Sequence, residues 1–332
     1  MLIPTVTGKV DSSELGYTLM HEHAVTCCDW SMRRCLKSQF CQEDRLLEMA
    51  VTQLKKAKAA GLDTIVDGTP INLGRDVRLI RKASQLSGVN VIVSSGFYHQ
   101  QDQWLDWKSS EEIFGYLDYE CTNGLEELPV LPGMMKAAID MPGITPYIQK
   151  MLGVIGDVAA KHKIPVFCHT IPELKQGFGL LDIMADHGVP MQAVIAGHSG
   201  DVDDIDYLEN LLNRGCYLGM DRFGIVTKTV GTSLEARCKT IARLCQDGFT
   251  DKLLISHDYV PYSGFLPDWK TASRDEELEK PVSFTYFEYY ATPILRELGL
   301  SEKTLQKLKV QNPRTFFENA FALFDIKRRN DL

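Results

Sequence analysis

Tyr17-Thr18-Leu19-Met20-His21-Glu22-His23 is the stretch that decides the fold of this chain. An apolar, β-branched run ends in two imidazoles. Alternation along a strand puts His21 and His23 on one side and Glu22 on the other. The turn after the first strand of a dinucleotide-binding sheet carries spaced glycines, and here it carries His-Glu-His instead. Seven similar runs follow, at 63–68, 89–95, 133–139, 165–169, 192–198, 216–221 and 252–258, after the first at 17–21. Between them lie segments of helical periodicity. The segment 43–60 carries Leu46, Leu47, Ala50, Leu54 and Ala57 as one stripe before Gly61. The segments 151–163, 204–214 (with Asp203 as its cap) and 233–246 (capped by Ser233) read the same way. Parallel neighbours need helical crossovers, so the alternation predicts a parallel sheet. A doubly wound open sheet is the alternative. The count of eight and the missing glycine fingerprint favour a single (β/α)8 TIM barrel occupying one domain, 1–332.

In such a barrel, residues at the C-terminal strand ends share one site. The first predicted strand ends in His21 and His23, the fifth in His169, the sixth in His198 and the eighth in Asp258. Lys136 stands in the otherwise apolar fourth run, Gly133-Met134-Met135-Lys136-Ala137-Ala138-Ile139. Taken singly, each has an ordinary explanation: a hydrogen-bonded core histidine, a snorkelling lysine, a capping aspartate. Together they form the imidazole and carboxylate set of catalytic zinc and similar first-row ions. A protonated lysine has no lone pair to offer. Lys136 must therefore be neutral, or be converted by carbon dioxide to a carbamate whose oxygens bridge two cations about 3.5–4 Å apart.

Composition excludes some classes. The chain has a net charge of −8 and no basic block, which argues against nucleic acid but leaves small anions open. No apolar run reaches the length of a membrane span, and the N-terminus lacks a signal-peptide pattern, so a cytoplasmic protein is expected. Nine cysteines without framework spacing fit reduced, buried thiols. Cys27-Cys28 is a poor chelating pair. No Gly-x-Ser-x-Gly elbow competes as a nucleophile.

The chain resembles the phosphotriesterase family of the amidohydrolase superfamily, which includes the phosphotriesterase-like lactonases. The likeness runs nearly end to end. It is carried by Thr5-Val6-Thr7-Gly8-Lys9-Val10, His21-Glu22-His23, Thr64-Ile65-Val66-Asp67, Gly74-Arg75-Asp76-Val77, Gly96-Phe97-Tyr98, Lys136, His169-Thr170, Gly197-His198-Ser199, Asp203-Asp204, Asp221-Arg222-Phe223-Gly224, Ser256-His257-Asp258 and Asn312-Pro313-Arg314. The resemblance implies that His21, His23 and Asp258 bind the more buried of two divalent cations. His169 and His198 would bind the more exposed one, with carboxylated Lys136 and a hydroxide bridging both. Zinc is expected first, with manganese, cobalt or iron as alternatives. Attack by the bridging hydroxide on a carboxylic ester or lactone follows, with Asp258 accepting the proton. A phosphotriester is the second substrate reading. Tyr98 and Arg222 would face the substrate. Gly200 stands where many relatives have an acidic residue, leaving Asp201 as the carboxylate behind the ligands. No motif is recognised in the loop from His99 to Leu131. The segment from Tyr259 to Pro281, with Tyr262, Phe265, Trp269, Lys270 and Arg274, is expected to cover the pocket. A homodimer is implied. A non-catalytic barrel that only binds or senses, and a Rossmann-type oxidoreductase, are the readings from other classes. The complete ligand set argues against the first and the missing fingerprint against the second.

Overall fold

The computed structural model describes residues 1–26, 42–225, 232–261 and 282–330. Cys27, Cys28, Tyr262, Phe265, Trp269, Lys270 and Arg274 lie outside them. Eight parallel strands follow one another around the sheet: β3 (Thr18–Glu22), β4 (Thr64–Asp67), β5 (Asn90–Gly96), β6 (Met134–Ala138), β7 (Val166–His169), β8 (Val194–Ala196), β9 (Tyr217–Met220) and β10 (Leu253–Ile255). Before them comes an antiparallel hairpin, β1 (Leu2–Thr5) and β2 (Gly8–Asp11), which the sequence reading did not anticipate.

Each barrel strand sends one apolar side chain into a shared interior: Met20, Val66, Ile92, Met134, Phe167, Ile195, Tyr217 and Leu254. One cluster fed by all eight strands is what a filled barrel requires and an open sheet cannot provide. Ile3 of the hairpin and Phe316 and Phe317 of the helix Asn312–Asn330 pack into the same cluster. The ladder runs from β10 to β3 without pairing those two directly. Two backbone bonds from the end of β3 to the turn after β10 span the gap, Asp258 N to His21 O (3.1 Å) and His23 N to Tyr259 O (3.0 Å). The seam of the barrel therefore lies at the strand ends that carry the candidate ligands.

Helices wrap the outside. Glu43–Ala59 buries Leu46, Ala50, Leu54 and Ala57, with Leu47 only partly covered. Pro146–His162 begins earlier than periodicity indicated, because the Thr145 hydroxyl accepts from Ile148 N and Pro146 fits the first turn. Ile205–Asn213 is capped by Asp204, not Asp203, since only the Asp204 side chain accepts from Tyr207 N. Leu234–Gln246 is capped by Ser233 as expected. The stretch 99–131, read as loop, contains the helix Ser110–Asn123 with a full capping box of Ser109 and Glu112. That signature was visible in Ser109-Ser110-Glu111-Glu112.

Candidate metal centre

Two predicted strands stop short of their polar residues. β8 ends at Ala196 and β10 at Ile255, so His198 and Asp258 sit in the turns beyond. Both are in left-handed backbone, φ 60° and 56°, and so is Arg222 after β9, φ 58°. Non-glycine residues there cost about 1–3 kcal/mol each, and such strain concentrates where side chains must be aimed. Three successive strand ends are thus turned toward one point.

At that point the donor atoms converge. Among the described residues, His21, His198 and Asp258 offer ligand atoms all within 4.8 Å of one another. His23 Nε2 lies 3.0 Å from Asp258 Oδ1, and His169 Nδ1 lies 2.8 Å from His198 Nε2. Lys136 Nζ is 2.7 Å from His21 Nε2 and 4.5 Å from the Phe167 ring centre. All six residues that the sequence nominated as ligands meet here.

The outer nitrogens decide what the inner ones can do. His21 Nδ1 and His198 Nδ1 lie 3.0 and 2.9 Å from the two oxygens of Asp221. His169 Nε2 lies 2.9 Å from Asp140, and His23 Nδ1 lies 2.7 Å from the Thr69 hydroxyl. A carboxylate only accepts, so the outer nitrogens of His21, His198 and His169 carry the protons and the inner ones are bare. Burial keeps these rings neutral, pushing His21 and His169 down to about 4 and His198 well below its ordinary value. His169 Nδ1 and His198 Nε2 then aim two lone pairs at each other, an arrangement that a shared cation relieves. Burial also raises Asp258, but the hydrogen bond with His23 and the guanidinium of Arg222 oppose it, and the carboxyl lies well below the usual range. The donor set fits divalent cations of the zinc type. Asp221, Asp140 and Thr69 are the supports that sequence reasoning did not assign.

Glu22 completes the frame. It bonds neither His21 nor His23 through their rings and is fully buried. Its Oε1 accepts from the Ser256 hydroxyl, His257 N and His257 Nδ1, each at 2.8 Å, and its Oε2 from Tyr259 N at 2.9 Å. This clasp fixes the backbone on both sides of Asp258. Tyr259 is itself buried, its ring 4.9 Å from Phe284.

The nominated substrate residues flank the cluster. Tyr98 OH is 3.3 Å from His169 Nδ1, and burial keeps this phenol protonated far above neutral pH. Arg222 donates from Nε to Asp258 (3.0 Å) and from Nη1 to Asp201 (2.9 Å). Asp201 also accepts from Arg237 at 2.5 Å and is hydrogen-bonded to no histidine, so it reaches the centre through the two arginines, Arg222 and Arg237. Gly200 makes room for this. A Cβ there would stand 2.9 Å from Arg237 Nη1, which donates to Asp221 O.

Backbone also approaches the cluster. A Cβ on Gly68 would lie 2.5 Å from the His21 ring and 3.3 Å from Lys136 Nζ. Gly68→Ala is expected to push His21 aside at a strain of about 1–3 kcal/mol and to lose bound metal out of proportion to the drop in Tm. Elemental analysis beside a melting curve checks this, and a variant with full metal content contradicts it.

An eight-stranded parallel barrel with imidazoles and a carboxylate gathered at its strand ends defines a barrel hydrolase of the metal-dependent kind. The chain belongs to the phosphotriesterase family, whose profile matches residues 1–317. A phosphotriesterase homology protein of Mycobacterium tuberculosis is 32% identical over 328 residues, 95% of this chain and 97% of that one. An aryldialkylphosphatase of Saccharolobus solfataricus is 31% identical, covering 96% of this chain and all of its own. The solved structure of the phosphotriesterase from Mycobacterium tuberculosis superposes with a TM-score of 0.85 at 29% identity, over 96% of this chain and 98% of the other. A human N-acetyltaurine hydrolase is 22% identical over 94% of this chain and 96% of its own. No helix among the described residues is long and apolar enough to cross a membrane.

Proposed function

We propose that the chain, acting as one catalytic unit over 1–332, hydrolyses a carboxylic ester or lactone with two divalent cations, zinc first among them. His21, His23 and Asp258 would hold one cation and His169 and His198 the other, with Lys136 as a carbamate between them. When bound, such a pair supplies Lewis acidity and an activated water at neutral pH. The protein's own groups do the rest. Asp258 takes the proton released on attack and returns it to the departing oxygen. Arg222, anchored at 3.0 Å on Asp258, is a fixed positive charge beside the developing oxyanion. Tyr98, protonated and 3.3 Å from His169, offers a second donor.

The observation that carries the ester reading is this pair of donors beside the cluster, Arg222 against Asp258 and Tyr98 against His169. They match the two oxygens of an ester or lactone. The aryldialkylphosphatase relative supports a phosphotriester as the second reading. The N-acetyltaurine hydrolase relative makes an N-acyl amide a useful third arm. The test is a parallel screen of lactones, aryl carboxylates, aryl phosphotriesters and an N-acyl amide on zinc-loaded protein. Lactones or esters are expected to give the highest kcat/KM. A preference for phosphotriesters or the amide by more than about tenfold, or 1.4 kcal/mol in barrel-bound transition states, reverses the assignment.

A further inference from the structure

We propose that Asp221 is a positioning residue that arms both halves of the centre at once, by setting the tautomer of one histidine from each. The inference rests on the two-cation reading above and goes beyond it. Asp221 follows β9 and is 1% exposed. Its Oδ2 lies 3.0 Å from His21 Nδ1 and its Oδ1 lies 2.9 Å from His198 Nδ1. His21 and His198 are assigned to different cations. The other two imidazoles have separate supports, Thr69 for His23 and Asp140 for His169. Among the described outer partners of these four imidazoles, the Asp221 carboxylate is the one that bonds two of them.

The chemistry is specific. A carboxylate has no proton to give, so both facing nitrogens must be N–H and both Nε2 atoms are left as bare donors. The two rings are held with centroids 5.3 Å apart, and Phe167 lies 4.0 Å behind the His21 ring. Rotation to the wrong nitrogen is therefore obstructed as well as disfavoured. Asp221 is itself held in place, because Arg237 donates to its carbonyl oxygen at 2.9 Å.

Asparagine is the discriminating substitution, since it keeps size and shape. Its amide has one accepting oxygen and one donating NH2. It can satisfy one ring only. The NH2 turned toward the other ring makes that Nδ1 the acceptor and moves the proton to Nε2, the atom needed for ligation.

The experiment uses the full chain. Long-range 1H–15N spectra of metal-free protein are expected to show both His21 and His198 protonated at Nδ1 in the wild type. In Asp221→Asn one of the two switches to Nε2–H. In zinc equilibrium dialysis, Asp221→Asn weakens one of two sites by about 10–100-fold, the size expected for loss of an outer partner. Asp221→Ala weakens both, while Thr69→Val weakens only one. Two unchanged tautomers in Asp221→Asn, or an Asp221→Ala variant that loses affinity at a single site, overturn the proposal. A wild type that holds fewer than two zinc ions overturns the two-cation reading, and the spectra of the metal-free protein then still decide the role of Asp221.

Discussion

Lys136→Ala leaves a folded barrel that holds almost no metal and turns over almost no substrate. Lys136 is buried to 1% exposure, its Nζ 2.7 Å from His21 Nε2 and 4.5 Å from the Phe167 ring centre, so it does not snorkel to solvent. Burial lowers its pKa to about 8, so about one amine in ten is neutral at pH 7. That fraction is what reaction with carbon dioxide needs. Alanine removes the proposed bridge, and metal affinity is expected to fall by more than the roughly 100-fold seen when only an outer partner of a ligand is lost. Lys136→Arg fails as well, because a guanidinium stays charged. Lys136→Glu recovers part of the metal content, since a carboxylate bridges cations although its reach is shorter. Reloading of metal-free wild type follows the neutral amine: it is faster with added bicarbonate and rises with pH through a midpoint at about 8, levelling off only well above it. Metal analysis and kcat on the folded alanine variant decide the matter. Full occupancy with near-normal turnover would sink the bridging role.

Asp258→Asn is the second large effect. The residue sits in left-handed backbone, φ 56°, a conformation that asparagine also accepts. The Glu22 clasp grips the main chain of His257 and Tyr259, not the Asp258 side chain. Folding is therefore preserved. What changes is the carboxylate facing His23 at 3.0 Å and Arg222 at 3.0 Å. An amide cannot take a proton and is a poorer ligand. The expected loss is about 10²–10⁴-fold in kcat, larger if zinc is also lost, so metal content is read on the same sample. Turnover within about tenfold of wild type at full occupancy removes Asp258 from proton transfer.

Much of the fold was legible because β-strand alternation and helical periodicity are local. Eight apolar runs separated by helical stripes indicate a parallel barrel before any contact is known. The failures were local too. Asp204 displaced Asp203 as a cap because one residue of phase decides which side chain reaches the free amides. The helix Ser110–Asn123 was passed over because its stripe is weak, although its capping box was present.

For the site, the chain itself dictates which residues come to the rim. A strand end points where its pleat and its terminating turn send it. His21, His23, Lys136, His169, His198 and Asp258 were therefore nominated from position alone. What holds them was decided only by closure of the barrel. His21 meets Asp221 across 200 residues of chain, and Glu22 grips Ser256 across 234. The sequence says that Glu22 faces away from the histidines but not what it faces. Nothing in Asp140 or Thr69 distinguishes a support from a surface residue. Such pairings are set by which strands become neighbours and by the register at the seam. Those are properties of the packed barrel, where an unpaired buried carboxylate is too costly to leave and each imidazole is turned by the partner it finds.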